Sequence, residues 1–262
     1  MQDSYETLLL DRPQEHVLQI TFNRPERRNA MNTQVGRDML DLFTGLLLDP
    51  GDTRTVIMTG AGDKAFCAGN DLKYQAGGGT RKRAPSGFAG ITSRFDLDKP
   101  VIAAVNGFAM GGGFEIALAC DLIIASENAV FALPEPRVGL TAGAGGMHRL
   151  PRMIPAKQAM GMILTGRRVP AEEGLSLGFV NEVVPQADVV DAAKRWAAQI
   201  LECSPMSIRA SKQSVYRGFD EPSLEQAITT EYPARTALNE SADFIEGPKA
   251  FAEKRPPKWT GM

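Results

Sequence analysis

Residues 106–121, NGFAMGGGFEIALACD, set three consecutive glycines against a glutamate inside an otherwise apolar run. A glycine triplet costs backbone entropy, and a carboxylate among Ile, Ala and Leu is expensive to bury. The preceding VIAAV reads as a buried strand and Asn106 with Gly107 as a turn, so a helix is expected to begin within residues 111–113. Free N–H groups at a helix start favour negative charge, and glycine lets another group approach them. Glycines also permit plain close packing of helix on strand, so the triplet alone leaves both readings open. Glu115 adds weight to the first. Its helical neighbours Leu118 and Ala119 are apolar, as are Phe114, Ile116 and Ala117, so the carboxylate is expected to face an interior or a cleft. Burial would raise its pKa toward a range useful for proton transfer. A structural carboxylate satisfied by a backbone or arginine partner is the alternative.

A second carboxylate lies in FALPEPRVG, where Glu135 stands between Pro134 and Pro136. The prolines are expected to keep it extended and to aim it; an ordinary exposed loop glutamate is the alternative. A third feature is FCAGNDLK, again a short strand leading through glycine to a helix start, which leaves the amide of Asn70 available. Two such strand–loop–helix units, each presenting a backbone N–H, could converge on one oxygen as an oxyanion hole. Residues 60–65, GAGDKA, match the GxGxxA form of a dinucleotide fingerprint, but no regular amphipathic helix follows, which disfavours an oxidoreductase. The basic residues 81–83 fit a solvated, lid-like loop better than a phosphate site.

The elements that must carry these groups are legible in outline. HVLQITFN and TVIMTG read as strands, and residues 33–48 have helical apolar spacing after a capping-type Asn/Thr start. KPVIAAVNG repeats the strand–turn–glycine logic of TVIMTG 45 residues later, a weak internal repeat. DLIIAS and FVNEVV look like further buried strands. Residues 76–90 form the one flexible-looking segment. From residue 187 to 253 the pattern is helical almost throughout, and the shift near Pro185 divides the chain into an α/β core, 1–185, and a helical region, 186–262.

Composition excludes several classes. Lys+Arg 29 against Asp+Glu 31 gives a formal net charge of -2, which offers nucleic acid no basic field. The longest apolar region is interrupted by Glu115 and Asp121, a poor membrane span. Three widely spaced cysteines suit reduced thiols, and two histidines leave little for a metal site or a serine-type triad. The opening residues are acidic where a signal peptide would be basic and then apolar. A cytoplasmic protein without a metal is expected.

Together FCAGNDL, KPVIAAVNGFAMGGGFEIALACDLIIAS, FALPEPRVGLTAGAGGMHRLPR and EGPKAFAEKRPPKW resemble the crotonase (enoyl-CoA hydratase/isomerase) superfamily, in the expected order over nearly the whole chain. The resemblance implies an α/β fold, a spiral of ββα repeats with a C-terminal helical region that packs in trimers or dimers of trimers. It implies a 2-enoyl-CoA thioester as substrate, with no cofactor beyond the coenzyme A the substrate carries. The oxyanion hole would come from the amides of Asn70 and Gly112, and the two glutamates of hydrating members fall on Glu115 and Glu135. Glu115 would orient and deprotonate the water, and Glu135 would supply the proton at the α-carbon. Coenzyme A would lie along Ala68, Asp71 and Leu72, with Lys254 of a neighbouring subunit on a phosphate. The acyl pocket would include the 76–90 segment. Both glutamates favour hydration or dehydration over isomerisation or plain acyl-CoA binding. The stretches around 87–115 and 245–259 look particularly like the carnitinyl-CoA dehydratase branch. Ala142 stands where family members commonly carry a proline.

Overall fold

Short β-branched and apolar runs, closed by glycine or polar turns, build two sheets in the computed structural model, which describes residues 2, 4–49, 51–79 and 84–262. The basic trio 81–83 lies outside the described residues. β1 (Leu8–Asp11) and β2 (Val17–Phe22) pair antiparallel. Helix α1 (Thr33–Leu48) follows, and its first residue is the one expected: the Asn32 side chain accepts from the Val35 amide at 3.0 Å and caps it. Val35, Met39, Leu42, Phe43 and Leu46 form its buried stripe.

From β3 (Thr55–Gly60) onward the chain repeats one move: a strand for the large sheet, a short strand for the small sheet, then a helix or turn. β3 leads to β4 (Ala65–Cys67) and α2 (Leu72–Ala76). β5 (Val101–Val105) leads to β6 (Phe108–Met110) and α3 (Gly112–Ala119). β7 (Leu122–Ser126) leads to β8 (Val130–Ala132) and a 3-10 turn, Glu135–Val138. The first strands run parallel in the order β3-β5-β7, the second strands in the order β4-β6-β8. This is a spiral of ββα repeats, and the 45-residue echo in the sequence is one step of it. Helices α4 (Gly146–Met153), α5 (Ala156–Thr165) and α6 (Ala171–Leu177) follow, with β9 (Val169–Pro170) antiparallel to β8 and β10 (Glu182–Val184) parallel to β7.

Alternate residues of the large sheet enter two cores, which explains why VIAAV is apolar without a break. Ile57, Ile102, Ala104 and Ile124 meet Val189, Ala192, Ala193 and Ala197 of α7 (Val189–Leu201). Met58, Ala103 and Val105 turn the other way and share a core with Met39, Phe43, Phe114 and Ile116 of α1 and α3. The chain ends in α8 (Pro205–Gly218), α9 (Leu224–Thr229), α10 (Pro233–Asn239) and α11 (Ala242–Ala252). Its tail folds back on the buried Asp243, which accepts from the Ser204 hydroxyl and the Thr260 amide at 2.7 and 2.8 Å.

Residues 60–65 join β3 to β4 through a turn, so no helix follows the fingerprint-like glycines, in line with the sequence. Two local expectations change. FVNEVV contributes only Glu182–Val184 as strand, while Phe179 and Val180 pack into the larger core. Glu135 is not held extended. It opens the 3-10 turn, which tolerates Pro136 in its first positions because no N–H is needed there.

Candidate active site

The three glycines of the opening stretch each face a different neighbour. A Cβ on Gly111 would stand 2.7 Å from Glu135 Oε1; on Gly112, 2.6 Å from the Phe88 ring; on Gly113, 1.9 Å from the Cys67 carbonyl oxygen. The first lets a carboxylate close in, the second an aromatic ring, and the third seats α3 on β4. Gly111 also has φ +53, which a side chain disfavours.

Two backbone amides approach each other by the same logic. A Cβ on Gly69, at φ +83, would stand 2.5 Å from the Met110 carbonyl oxygen and 3.0 Å from the Gly112 nitrogen. The turn at Gly69 and the start of α3 therefore touch through bare backbone, and Asn70 follows immediately. Met31 ties down the other side: its amide donates to the Gly69 carbonyl at 2.7 Å, and the Asp71 amide donates back to Met31 at 3.0 Å. That bridge skips the Asn70 N–H. Gly112 is the first residue of α3, where an N–H has no intrahelical acceptor.

Glu115 is 3 % exposed. Its Oε1 accepts from the amides of Ala144 and Gly146 at 2.7 and 2.9 Å. Burial lifts its pKa to about 7; the two amides oppose the shift, and negative charge on Glu135 reinforces it. Glu135 is half-buried, and burial raises its pKa as well. Its Oε2 is buried without a hydrogen-bond partner among the described residues. An acid in that condition is best neutral or facing a ligand. Glu115, Glu135, Asn70 and Gly112 all line one cavity of about 1060 Å³, room for an acyl chain and part of a carrier. Phe88 lines it too, so part of the 76–90 segment does border the cavity.

Four other predicted residues lie elsewhere. The Ala68 amide donates to the Arg28 carbonyl at 3.0 Å. Asp71 caps α2 through the Tyr74 amide and pairs with Arg24 at 3.3 Å. Leu72 is exposed at the start of α2, and Lys254 is exposed in the turn after α11. None of the four lines the cavity. Sequence reasoning missed the Ala144 and Gly146 amides, although the glycine-rich TAGAGG was a visible signal. Ala142 in place of proline leaves that anchoring intact.

The cavity belongs to a fold that positions two amides and two carboxylates by repeating one supersecondary unit. Residues 12–262 match the model of the enoyl-CoA hydratase/isomerase family, and the chain belongs to that family. It is 45% identical over 254 residues to carnitinyl-CoA dehydratase of Escherichia coli strain ATCC 8739, covering 94% of this chain and 95% of that one. The structure of enoyl-CoA hydratase from Mycobacterium tuberculosis H37Rv superposes with a TM-score of 0.90 at 38% identity, over 98% and 99% of the two chains. Carnitinyl-CoA hydratase from Mycobacterium avium superposes at 0.78 with 43% identity, over 99% and 100%. No helix among the described residues is long and apolar enough to cross a membrane.

Proposed function

We propose that this protein reversibly adds water to the double bond of a 2-enoyl-CoA thioester, with Glu115 and Glu135 as the acid–base pair and the amides of Asn70 and Gly112 as the oxyanion hole. The observation that carries this reading is that all four border one cavity, with Glu115 held by one carboxylate oxygen and Glu135 Oε2 buried without a hydrogen-bond partner among the described residues. In hydration the water oxygen bonds to the β-carbon and its proton passes to Glu115. Negative charge then moves to the thioester oxygen, where two preorganised amides stabilise it more than mobile water would. Glu135 gives its proton to the α-carbon and the thioester carbonyl re-forms. Dehydration retraces these steps.

Electrostatics supports a division of labour. Charge on Glu135 helps keep the proton on Glu115, and burial raises the pKa of both carboxyls, which favours a pair that shares one proton. Proton on Glu115 and charge on Glu135 is the state from which dehydration starts; hydration starts from the other tautomer of the same pair. Names of relatives also support a hydro-lyase, since one group is called dehydratase and another hydratase. A carnitinyl-CoA dehydratase is the second reading, favoured by the 45% identity.

Coenzyme A along Ala68, Asp71 and Leu72, with Lys254 from a neighbouring copy, belongs to the same proposal. So does an assembly of three copies or two sets of three. Exposed Phe219, Leu224, Ile228, Ile245 and Phe251 on the C-terminal helices support assembly, because an isolated chain would leave them in water. The direct test follows loss of the conjugated thioester absorbance with crotonyl-CoA, longer 2-enoyl-CoA esters and crotonobetainyl-CoA. Glu115→Gln and Glu135→Gln should each lower kcat by about 10²-fold or more while leaving ester binding within a few-fold. Wild-type rates in both variants would overturn the mechanism.

A further inference from the structure

One face of α1 borders the cavity: Thr33, Gly36, Arg37 and Leu40 recur at the spacing that puts side chains on one side of a helix. Arg37 is the single basic side chain among the described residues that line the cavity. It is exposed and makes no hydrogen bond or ion pair among the described residues. The adjacent Asp38 is not its ion-pair partner: that carboxylate is buried and accepts from the Thr7 hydroxyl at 2.7 Å and the Gln34 amide at 2.7 Å.

The space beside Arg37 is kept open. A Cβ built on Gly36 would meet nothing within 4 Å. Glycine inside a helix is less stable than alanine, and here no packing requires it. One turn further along, the two walls of the cavity join: a Cβ on Gly90 would stand 2.9 Å from the Met39 carbonyl oxygen and 3.0 Å from the Leu40 backbone. At the other end of the helix, Asn32 follows Met31, the residue that bridges to Asn70. Five residues of helix, about 7–8 Å, separate Asn32 from Arg37. An acyl group held by its thioester oxygen at Asn70 and running along α1 meets Arg37 before the walls close.

We propose that Arg37 selects the far end of the acyl group, and that the substrate class is a 2-enoyl-CoA thioester, or its 3-hydroxy counterpart, ending in a carboxylate. This specificity rests on the hydratase reading. A guanidinium offers a carboxylate two parallel hydrogen bonds as well as charge. It repels a quaternary ammonium, which has no hydrogen-bond donor and is normally held by several aromatic faces. The cavity has one aromatic lining residue among those described, Phe88, and its ring lies on Gly112. Selectivity therefore departs from the substrate named for the carnitinyl-CoA relatives.

The experiment compares three 2-enoyl-CoA esters with neutral, carboxylate and trimethylammonium ends, in wild type, Arg37→Lys, Arg37→Ala and Arg37→Glu. Both kcat/KM and the equilibrium Kd of each ester are measured. Wild type should favour the carboxylate over the ammonium ester by about tenfold or more. Arg37→Lys should retain part of that ratio, Arg37→Ala should lose it, and Arg37→Glu should invert it. A wild-type preference for the ammonium ester, or a ratio unmoved in Arg37→Glu, overturns the assignment. The same anion chemistry could come from a CoA phosphate. In that case Arg37→Ala would weaken all three esters equally, and the loss would vanish with pantetheine thioesters, which also overturns it. If wild type binds all three esters but turns over none, the hydratase reading fails, while the Kd ratios still decide the role of Arg37.

Discussion

The amide of Gly146, the first residue of α4, donates to Glu115 Oε1 at 2.9 Å, and a Cβ on Gly146 would stand only 3.1 Å from Glu115 Cγ. A carboxylate carried by α3 is thus oriented by the start of a different helix. One oxygen is committed to two amides, and the other makes no hydrogen bond among the described residues.

Gly146→Ala tests that relationship without touching the carboxylate. The added methyl presses equally on Glu115 Cγ and on the Leu133 side chain, each at 3.1 Å, so kcat should fall about tenfold, with Kd for a saturated acyl-CoA within about twofold of wild type. Steady-state kinetics and a binding titration check the split; a variant with unchanged kcat means the anchoring amide has no catalytic consequence.

Gly111 seats the other carboxylate. Its substitution by alanine meets both the left-handed backbone, φ +53, and Glu135 Oε1 at 2.7 Å. Displacement of Glu135 should cost about 10²-fold in kcat, more than the loss from Gly146→Ala, because the carboxylate itself occupies the needed space. A thermal melt beside the kinetics separates this from misfolding: a folded variant with normal kcat contradicts the assignment.

The pH–rate profile should carry the signature of a pair that shares one proton. Both directions of the reaction need the singly protonated pair, and its proton is lost near pH 7. Thus kcat/KM for hydration and for dehydration should fall together above about pH 7, by about tenfold per unit. Profiles that stay flat to pH 9 in both directions exclude Glu115 as the group that loses that proton.

Stability should respond to the same carboxyl. Its folded pKa, about 7, lies above the ordinary value of 4.5. The contribution is therefore fully present below about 4.5 and lost as pH rises through about 7. The loss across that window is at most about 3 kcal/mol. Glu115→Gln keeps an oxygen for the two amides and removes the titration. Urea unfolding at pH 5 and pH 8 should show the variant gaining on wild type at the higher pH; an equal difference at both leaves no buried titration at this site.

Much of the fold was written in local sequence. The 3.6-residue spacing of Val35, Met39, Leu42 and Leu46 with Asn32 ahead of it specified α1, since capping and amphipathicity act within a few residues. The unbroken apolar VIAAV announced a strand covered on both faces. Residue chemistry and family resemblance also singled out Glu115, Glu135, Asn70 and Gly112 before any contact was known. Local rules misjudged Glu135, because proline neighbours restrict a backbone to more than one conformation and the turn after β8 selected the 3-10 form.

Only the tertiary structure decided what each of these groups faces. Gly111, Gly112 and Gly113 are identical in sequence, yet they admit a carboxylate, a phenyl ring and a strand carbonyl because three different segments converge on them. Glu115 obtained its hydrogen bonds from residues 29 and 31 positions away. Arg37 borders a cavity only because the 84–93 segment closes against that face of α1. Periodicity and propensity act over a few residues, whereas these distances depend on how successive ββα turns stack. That stacking is set by packing between segments far apart in the chain, which no short stretch encodes alone.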